Sequence, residues 1–412
     1  MTHITEHKRI HLIGIGGCSM SGLASILKNR GYYVQGSDRA ESPFTERLKE
    51  LGVPVFIGHD AKNIGDCDLI IFSAAIKPDN IERAEAKRRG IPELERSEAL
   101  GQLTEGYESV VGIAGCHGKT TITSMLALIC EQGGPDATVH IGGFVDFLNG
   151  GVRLGAHDMF ITEACEYVES FLTLRPTIAL INNIDNDHLD YYGDMEHIVA
   201  AFKKFAALLP ENGLLIGNTD DFRVHALMAE HTGRKLSYGM KDADYTPANI
   251  TYDDNGCPGF DIMFRGEKLM HIQLRIPGEH SVMNAIAAAA VAREIGADDK
   301  CIVSALNAFR NTRRRFEYYG ERNGVKYYHD YGHHPSEIAA TMKAASNVKH
   351  NKLFCVFQCN SYTRAKTLFL NDVTCFNLAD ETLVPDIYPG REKDDGCRHK
   401  RGRRARNVPW NV

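Results

Sequence analysis

Seven residues, Gly115-Cys116-His117-Gly118-Lys119-Thr120-Thr121, lie between a strand-like run and a helical period. Glycines in such a turn let backbone N–H groups close around phosphate oxygens. The N-terminus of the helix that follows adds positive potential. A lysine here reaches the β- and γ-phosphates, and the first threonine hydroxyl ligates Mg²⁺. The chemistry is phosphoryl transfer from a nucleoside triphosphate. Ile113 stands where the full phosphate-loop pattern has its first glycine. The competing bland reading, a helix that merely begins Gly-Lys-Thr-Thr, ignores the strand–turn–helix setting.

Two acidic motifs follow strands. Glu163-Ala-Cys-Glu166-Tyr-Val-Glu169-Ser-Phe171 closes one apolar run, and Asn183-Ile-Asp-Asn-Asp187-His188-Leu-Asp190 closes the next. Carboxylates at the carboxyl end of a strand sit where open α/β sheets bind ligands. Glu166 and His188 are the metal-ligand candidates, while Glu163 and Glu169 suit a solvated acidic loop equally well. Near the start, Gly14-Ile-Gly16-Gly17-Cys-Ser19-Met-Ser-Gly22 is a dinucleotide-type turn, with Ser19 in place of the last glycine. Its glycines allow a diphosphate to approach the backbone, and Asp38 could hold a ribose hydroxyl. That turn alone suits NAD, FAD or a UDP-sugar. Together, the two turns indicate ATP-driven chemistry on a nucleotide-linked substrate.

The elements that must position these groups alternate between short β-rich runs and helical periods, the pattern of a parallel α/β fold. Three blocks separate: 1–106, 107–316 and 317–412. In the first, strands are expected at 9–15, 32–35, 53–57 and 68–73, with a helix between the first two. In the second, 109–114 is a strand, and Ile122, Met125, Leu126 and Ile129 recur at helical spacing. Strands follow at 158–162 and 177–181. An antiparallel ribbon spans 249–264 and 267–276 with a turn at Asn255-Gly256, and a helix spans 281–295. The third block has a strand ending at Asp330, a helix after Pro335, a strand at 353–357 and a helix before Asp372.

Composition narrows the class further. No run reaches the ~18 apolar residues of a membrane span. The opening residues do not resemble a signal peptide, and the net charge of −6 gives no drive towards nucleic acid. Eleven cysteines without a CxxC pair fit reduced thiols in a cytoplasm.

At this point the chain resembles the Mur ligases, over residues 9–394. The motifs are Gly14–Gly22, Gly115–Thr121, Glu166–Phe171, Asn183–Asp190, Pro277-Gly-Glu-His280-Ser-Val-Met-Asn284, Arg314-Arg315-Phe316, Asp330-Tyr-Gly-His333-His334-Pro335 and Phe357–Arg364. Their form points to the alanine-adding branch. The resemblance implies a Rossmann-like UDP-binding domain, a P-loop-like central ATPase with a parallel sheet and a Rossmann-like C-terminal domain. It implies that ATP phosphorylates the carboxylate of UDP-N-acetylmuramic acid and that L-alanine attacks the acyl phosphate.

Carried over by position, the resemblance makes Lys119, His188, Arg315, His333 and Arg364 the catalytic group. Gly115, Cys116, His117, Gly118, Lys119, Thr120, Thr121, His280, Asn284 and Asp330 would bind ATP. Gly14, Gly16, Gly17, Ser37, Asp38 and Ser73 would line the UDP site, and Thr120, Glu166 and His188 would hold Mg²⁺. A monomer or homodimer is expected, with no nucleic-acid or membrane partner. Cys116, Ser281, Cys359 and Asn360 depart from the family's usual residues.

The stretch 396–412 carries six Lys/Arg, no acid and the only tryptophan, with no visible period. It reads as an aberrant tail on an incomplete third domain. The alternatives to an active alanine ligase are therefore a damaged, nucleotide-binding relative, or a recycling ligase that attaches a tripeptide to the same nucleotide.

Overall fold

The computed structural model describes residues 2–156, 158–310, 315–360, 362, 374–388 and 404–406, with backbone alone at Asp190 and 404–406. Its first sheet is five-stranded and wholly parallel, in the order Val55–Ile57, Tyr33–Asp38, Arg9–Ile13, Leu69–Phe72, Glu93–Glu95. Arg9–Ile13 lies at the centre and is buried on both faces: Ile10, His11, Leu12 and Ile13 are all fully buried, the polar His11 included. The helix Cys18–Asn29 leaves directly from the glycine turn.

The second sheet has ten strands. Its parallel heart runs Leu214–Asn218, Ile178–Ile181, Ser109–Ala114, Met159–Glu163, Thr138–Val145. Ser109–Ala114 feeds the helix Lys119–Glu131, whose Ile122, Met125, Leu126 and Ile129 are all fully buried. Burial of this kind contributes roughly 1.5–3 kcal/mol per side chain. The expected ribbon is present with a different division. The segment 249–264 is two strands, Tyr245–Tyr252 and Pro258–Phe264, because the Asn255-Gly256 turn, with Gly256 at φ 71°, falls between them. Glu267–Gln273 completes this meander.

The third region holds the hairpin Glu317–Arg322 with Val325–His329, the helix Pro335–Asn347 and a small sheet. In that sheet Phe354–Val356 pairs with Glu381–Leu383, which pairs in turn with Arg404–Arg406. The last strand lies in the stretch 396–412 that was read as an aberrant tail. Three residues paired by backbone hydrogen bonds need no apolar period, so none was visible. The helix expected before Asp372 lies outside the described residues.

The first two regions share one buried apolar cluster. It runs from Ile10, Leu12 and Leu23 to Phe160, Phe171 and Phe202. At the junction His140 contacts Ser19 through both its hydroxyl and its carbonyl, 3.3 and 3.1 Å from Nε2. Burial holds the His140 imidazole down to a pKa of about 4, so it is neutral. The third region has its own small clusters, around Ile338 and Met342 and around Phe316 and Ala344.

Candidate active site

The phosphate loop is built around glycine geometry. Gly115 has φ 136° and Gly118 φ 87°, both left-handed. A Cβ on Gly118 would lie 2.4 Å from Asn182 Nδ2 and 2.8 Å from Asn284 Oδ1, so no other residue fits. Asn182 and Asn183 hold the loop from the neighbouring strand end. Both side-chain amides donate to the His117 carbonyl, at 2.9 and 3.1 Å, and Asn183 Oδ1 accepts from the His117 N–H at 2.8 Å. The buried Tyr238 hydroxyl fixes Asn182 by donating to its Oδ1 at 2.6 Å.

Lys119 turns back onto its own loop. Its ammonium donates to the carbonyls of Gly115 and Cys116 and lies 2.7 Å from Glu166 Oε2. Burial opposes that charge, but Glu166 outweighs it and raises the lysine above its ordinary pKa. Glu166 is almost wholly buried. The residues after it, Val168 and Glu169, both have φ 54°, and His188 has φ 56°. Strained non-glycine backbone gathers at functional sites.

Glu166, Asp187 and His188 bring donor atoms within 4.8 Å of one another. Two carboxylates and one imidazole form an oxygen-rich set that fits a hard divalent cation such as Mg²⁺. Thr120 instead donates its hydroxyl to Glu163 Oε2 at 3.0 Å. Cys116 is buried in the loop, and burial pushes its thiol well above the ordinary range, which makes it inert. The ten described cysteines are all free.

A cavity of about 240 Å³ opens between the phosphate loop and the third region. His117, Gly118, Thr120 and Thr121 form one side, and His280 and Asn284 lie at the start of the helix Glu279–Glu294. Arg315, at the boundary of the second and third regions, and Asp330, in the third, close it. Asp330 accepts backbone N–H groups from Phe316 at 2.7 Å and Gly332 at 2.6 Å, so it shapes that wall. Phe316 takes φ 44° there.

His333 stands just beside this wall, its Nδ1 2.9 Å from the Tyr331 carbonyl. Arg364 lies outside the described residues.

Ser336 and Glu337 join the site without having been singled out in the sequence, and Asp185 joins it from the Asn183–Asp190 motif. His117 Nε2 is 3.0 Å from Asp185 Oδ2, and its Nδ1 is 3.3 Å from Glu337 Oε1. Burial pushes this imidazole's pKa down, but the two carboxylates lift it to about 9, so it is charged at neutral pH. The same contacts hold both carboxyls well below their usual range against burial. One signal was readable: Glu337 stands three residues after His334, the capping-box spacing.

The first region's turn is separate. Gly14 and Gly16 bracket it, and Gly17 caps the helix Cys18–Asn29. Asp38 accepts the Gly16 N–H at 2.8 Å, so its carboxylate braces the turn. Ser37 is fully buried, with its hydroxyl given to Glu82. Ser73 faces Gly14, with its Cβ 3.5 Å from where a Cβ on that glycine would be.

Three family models match the chain in order: Mur ligase family, catalytic domain, over 9–108; Mur ligase middle domain over 113–292; and Mur ligase, glutamate ligase domain, over 314–386. A UDP-N-acetylmuramate–L-alanine ligase of Clostridium botulinum (strain Langeland) is 45% identical over 391 residues, covering 95% of this chain and 85% of that protein. The same-named protein of Alkaliphilus metalliredigens is 44% identical, covering 97% and 88%. The crystal structure of UDP-N-acetylmuramate–alanine ligase from Thermotoga maritima superposes with a TM-score of 0.78 at 28% identity, covering 93% of this chain and 86% of that one.

Proposed function

The chain belongs to the Mur ligase family, and from that premise we propose that it joins L-alanine to UDP-N-acetylmuramate, with ATP converted to ADP and phosphate, in peptidoglycan synthesis. A carboxylate is a poor electrophile. Transfer of the γ-phosphoryl group makes it an acyl phosphate. The alanine amine attacks the carbonyl carbon and loses a proton, and the tetrahedral intermediate collapses to the amide with phosphate leaving. The observation that carries this reading is the cavity in which the phosphate loop faces His280, Asn284, Arg315 and Asp330.

The division into 1–106, 107–316 and 317–412 is supported by the two separate sheets and the three matched spans. On this reading Lys119 swings from Glu166 to the terminal phosphates and offsets their charge. His280 and Asn284 flank the adenine, Arg315 meets the reacting groups from the boundary of the second and third domains, and His333 meets them from the third. Arg364 binds the alanine carboxylate. Thr120, Glu166 and His188, with Asp187 beside them, would hold Mg²⁺. The ion would supply further neutralisation of phosphate charge. Gly14, Gly16, Gly17 and Ser73 border the UDP diphosphate, with Ser37 and Asp38 shaping the turn.

The test is phosphate release. It is expected only when UDP-N-acetylmuramate, ATP, Mg²⁺ and L-alanine are all present, with product mass increased by one alanine residue. Turnover with a tripeptide acceptor but not with alanine would overturn the reading in favour of a recycling ligase. Nucleotide binding without any turnover would leave a non-catalytic relative.

A further inference from the structure

The strongest feature outside the assigned groups is the carboxylate of Glu337, in the first turn of the helix Pro335–Asn347. A helix cap needs only backbone partners, and one oxygen supplies them. Oε2 accepts the N–H of His333 at 3.0 Å and, more weakly, of His334 at 3.4 Å. The other oxygen leaves the helix. Oε1 lies 3.3 Å from His117 Nδ1, in the phosphate loop, and 3.3 Å from the Arg315 guanidinium.

The far side of His117 is tied as well. Asp185 takes His117 Nε2 at 3.0 Å and the Ser336 hydroxyl at 2.6 Å. His334 donates from Nε2 to the Asn186 carbonyl at 3.1 Å, while its Nδ1 accepts the Ser336 N–H, so it carries its proton on Nε2. Two cations, His117 and Arg315, thus meet two anions, Asp185 and Glu337, with His333 Nδ1 also 3.7 Å from Glu337 Oε2. Glu337 is only about one-eighth exposed. The Glu337–His117 contact is an ion pair without hydrogen-bond geometry, and in so buried a setting loss of one partner leaves the other uncompensated.

We propose that Glu337 is a positioning residue for the ligation: through the His117 imidazolium it clasps the start of the helix Pro335–Asn347 to the phosphate loop, and so sets Arg315 and His333 at the mouth of the nucleotide cavity. This rests on the ligase reading above. It makes the loop that grips the triphosphate also the part that registers the third domain. Asp185 and Ser336 complete the clasp from the opposite side of the ring.

The experiment compares Glu337→Gln and Glu337→Asp with the wild type. Glutamine keeps the cap acceptor and the side-chain volume but removes the charge. The expected result is a fall in kcat of about tenfold or more for Glu337→Gln, with KM for UDP-N-acetylmuramate within about twofold of wild type. Glu337→Asp, which keeps the charge, should recover part of kcat. Equal kcat in Glu337→Gln and wild type would overturn the proposal, as would Glu337→Asp performing no better than Glu337→Gln.

A second measurement does not depend on turnover. Hydrogen exchange of the first-turn amides of Pro335–Asn347, in the nucleotide-free full chain, should quicken in His117→Gln, although that substitution lies in another domain. Unchanged exchange would overturn the clasp. If the wild type shows no ligation at all, the ligase reading fails while this exchange experiment still decides the contact.

Discussion

At the residue scale, Lys119 carries the heaviest role. Its ammonium neutralises a nearly buried Glu166 at rest and, on our reading, the phosphates during turnover. Lys119→Ala should lower turnover by about 10³-fold or more while UDP-sugar binding survives. It also strands a buried carboxylate, so Lys119→Arg is the cleaner variant: it keeps a positive partner for Glu166 but not the compact ammonium. Steady-state phosphate release checks both, and Lys119→Arg within tenfold of wild type would remove the assigned role. The Gly-Lys-Thr-Thr run was readable in the sequence because its chemistry is local, with neighbours in the chain also neighbours in space. Asn182 and Glu337 were not, because each acts on His117 from 65 or more residues away; Asp185 stood within the Asn183–Asp190 motif, but its pairing with His117 was hidden by the same separation. Ser37 and Asp38 show the converse. Their positions fit the family pattern, but which way their side chains turn is settled by Glu82 and Gly16.

At the scale of elements, the first sheet is pinned by one buried carboxylate. Glu82 starts the helix Ile81–Arg89 and accepts from Ser37 of the strand Tyr33–Asp38 and from Asn63 at 2.7 Å, with His11 of the central strand at 3.2 Å. Burial raises its pKa, but the hydrogen bonds from His11, Ser37 and Asn63 prevail and bring it to about 2. A lowered folded pKa contributes stability above the unfolded value of 4.5, and that contribution is lost as pH falls through about 2. Glu82→Gln should therefore cost ~1–3 kcal/mol at neutral pH in urea melts. The gap between mutant and wild type should close between pH 4.5 and 2. A constant gap across that window would show that the carboxylate's charge is not what matters. Strand and helix order here was legible from apolar runs and glycine breaks. The ribbon at 245–264 was less so, because its alternation continues on both sides of a turn that only the Asn-Gly pair marks.

At the scale of the whole molecule, the two junctions differ in kind. The first two regions meet through a continuous apolar cluster, while the third meets the central one largely through polar contacts at His117, Asp185, Ser336 and Glu337, with Lys343 on Glu279 at 2.8 Å. Apolar burial couples unfolding, whereas ionic contacts yield to pH and salt. A calorimetric scan should accordingly show the third region melting first and the other two together. The imidazole of His117, raised to about 9 from 6.5, contributes stability below pH 6.5 that is lost as pH rises through 9. The first transition should move down over that range in the wild type and stay put in His117→Gln. A single transition that does not respond to pH in this window would contradict the distinction between the junctions.

On the ligase reading, the pairing of Lys119 with Glu166 has a consequence for the order of arrival. A bare divalent ion would meet Glu166 already paired with an ammonium and would have to displace it unaided. A nucleotide bringing the ion as a chelate would offer that ammonium new anionic company in the same event, so tight capture would belong to the chelate rather than to either component alone.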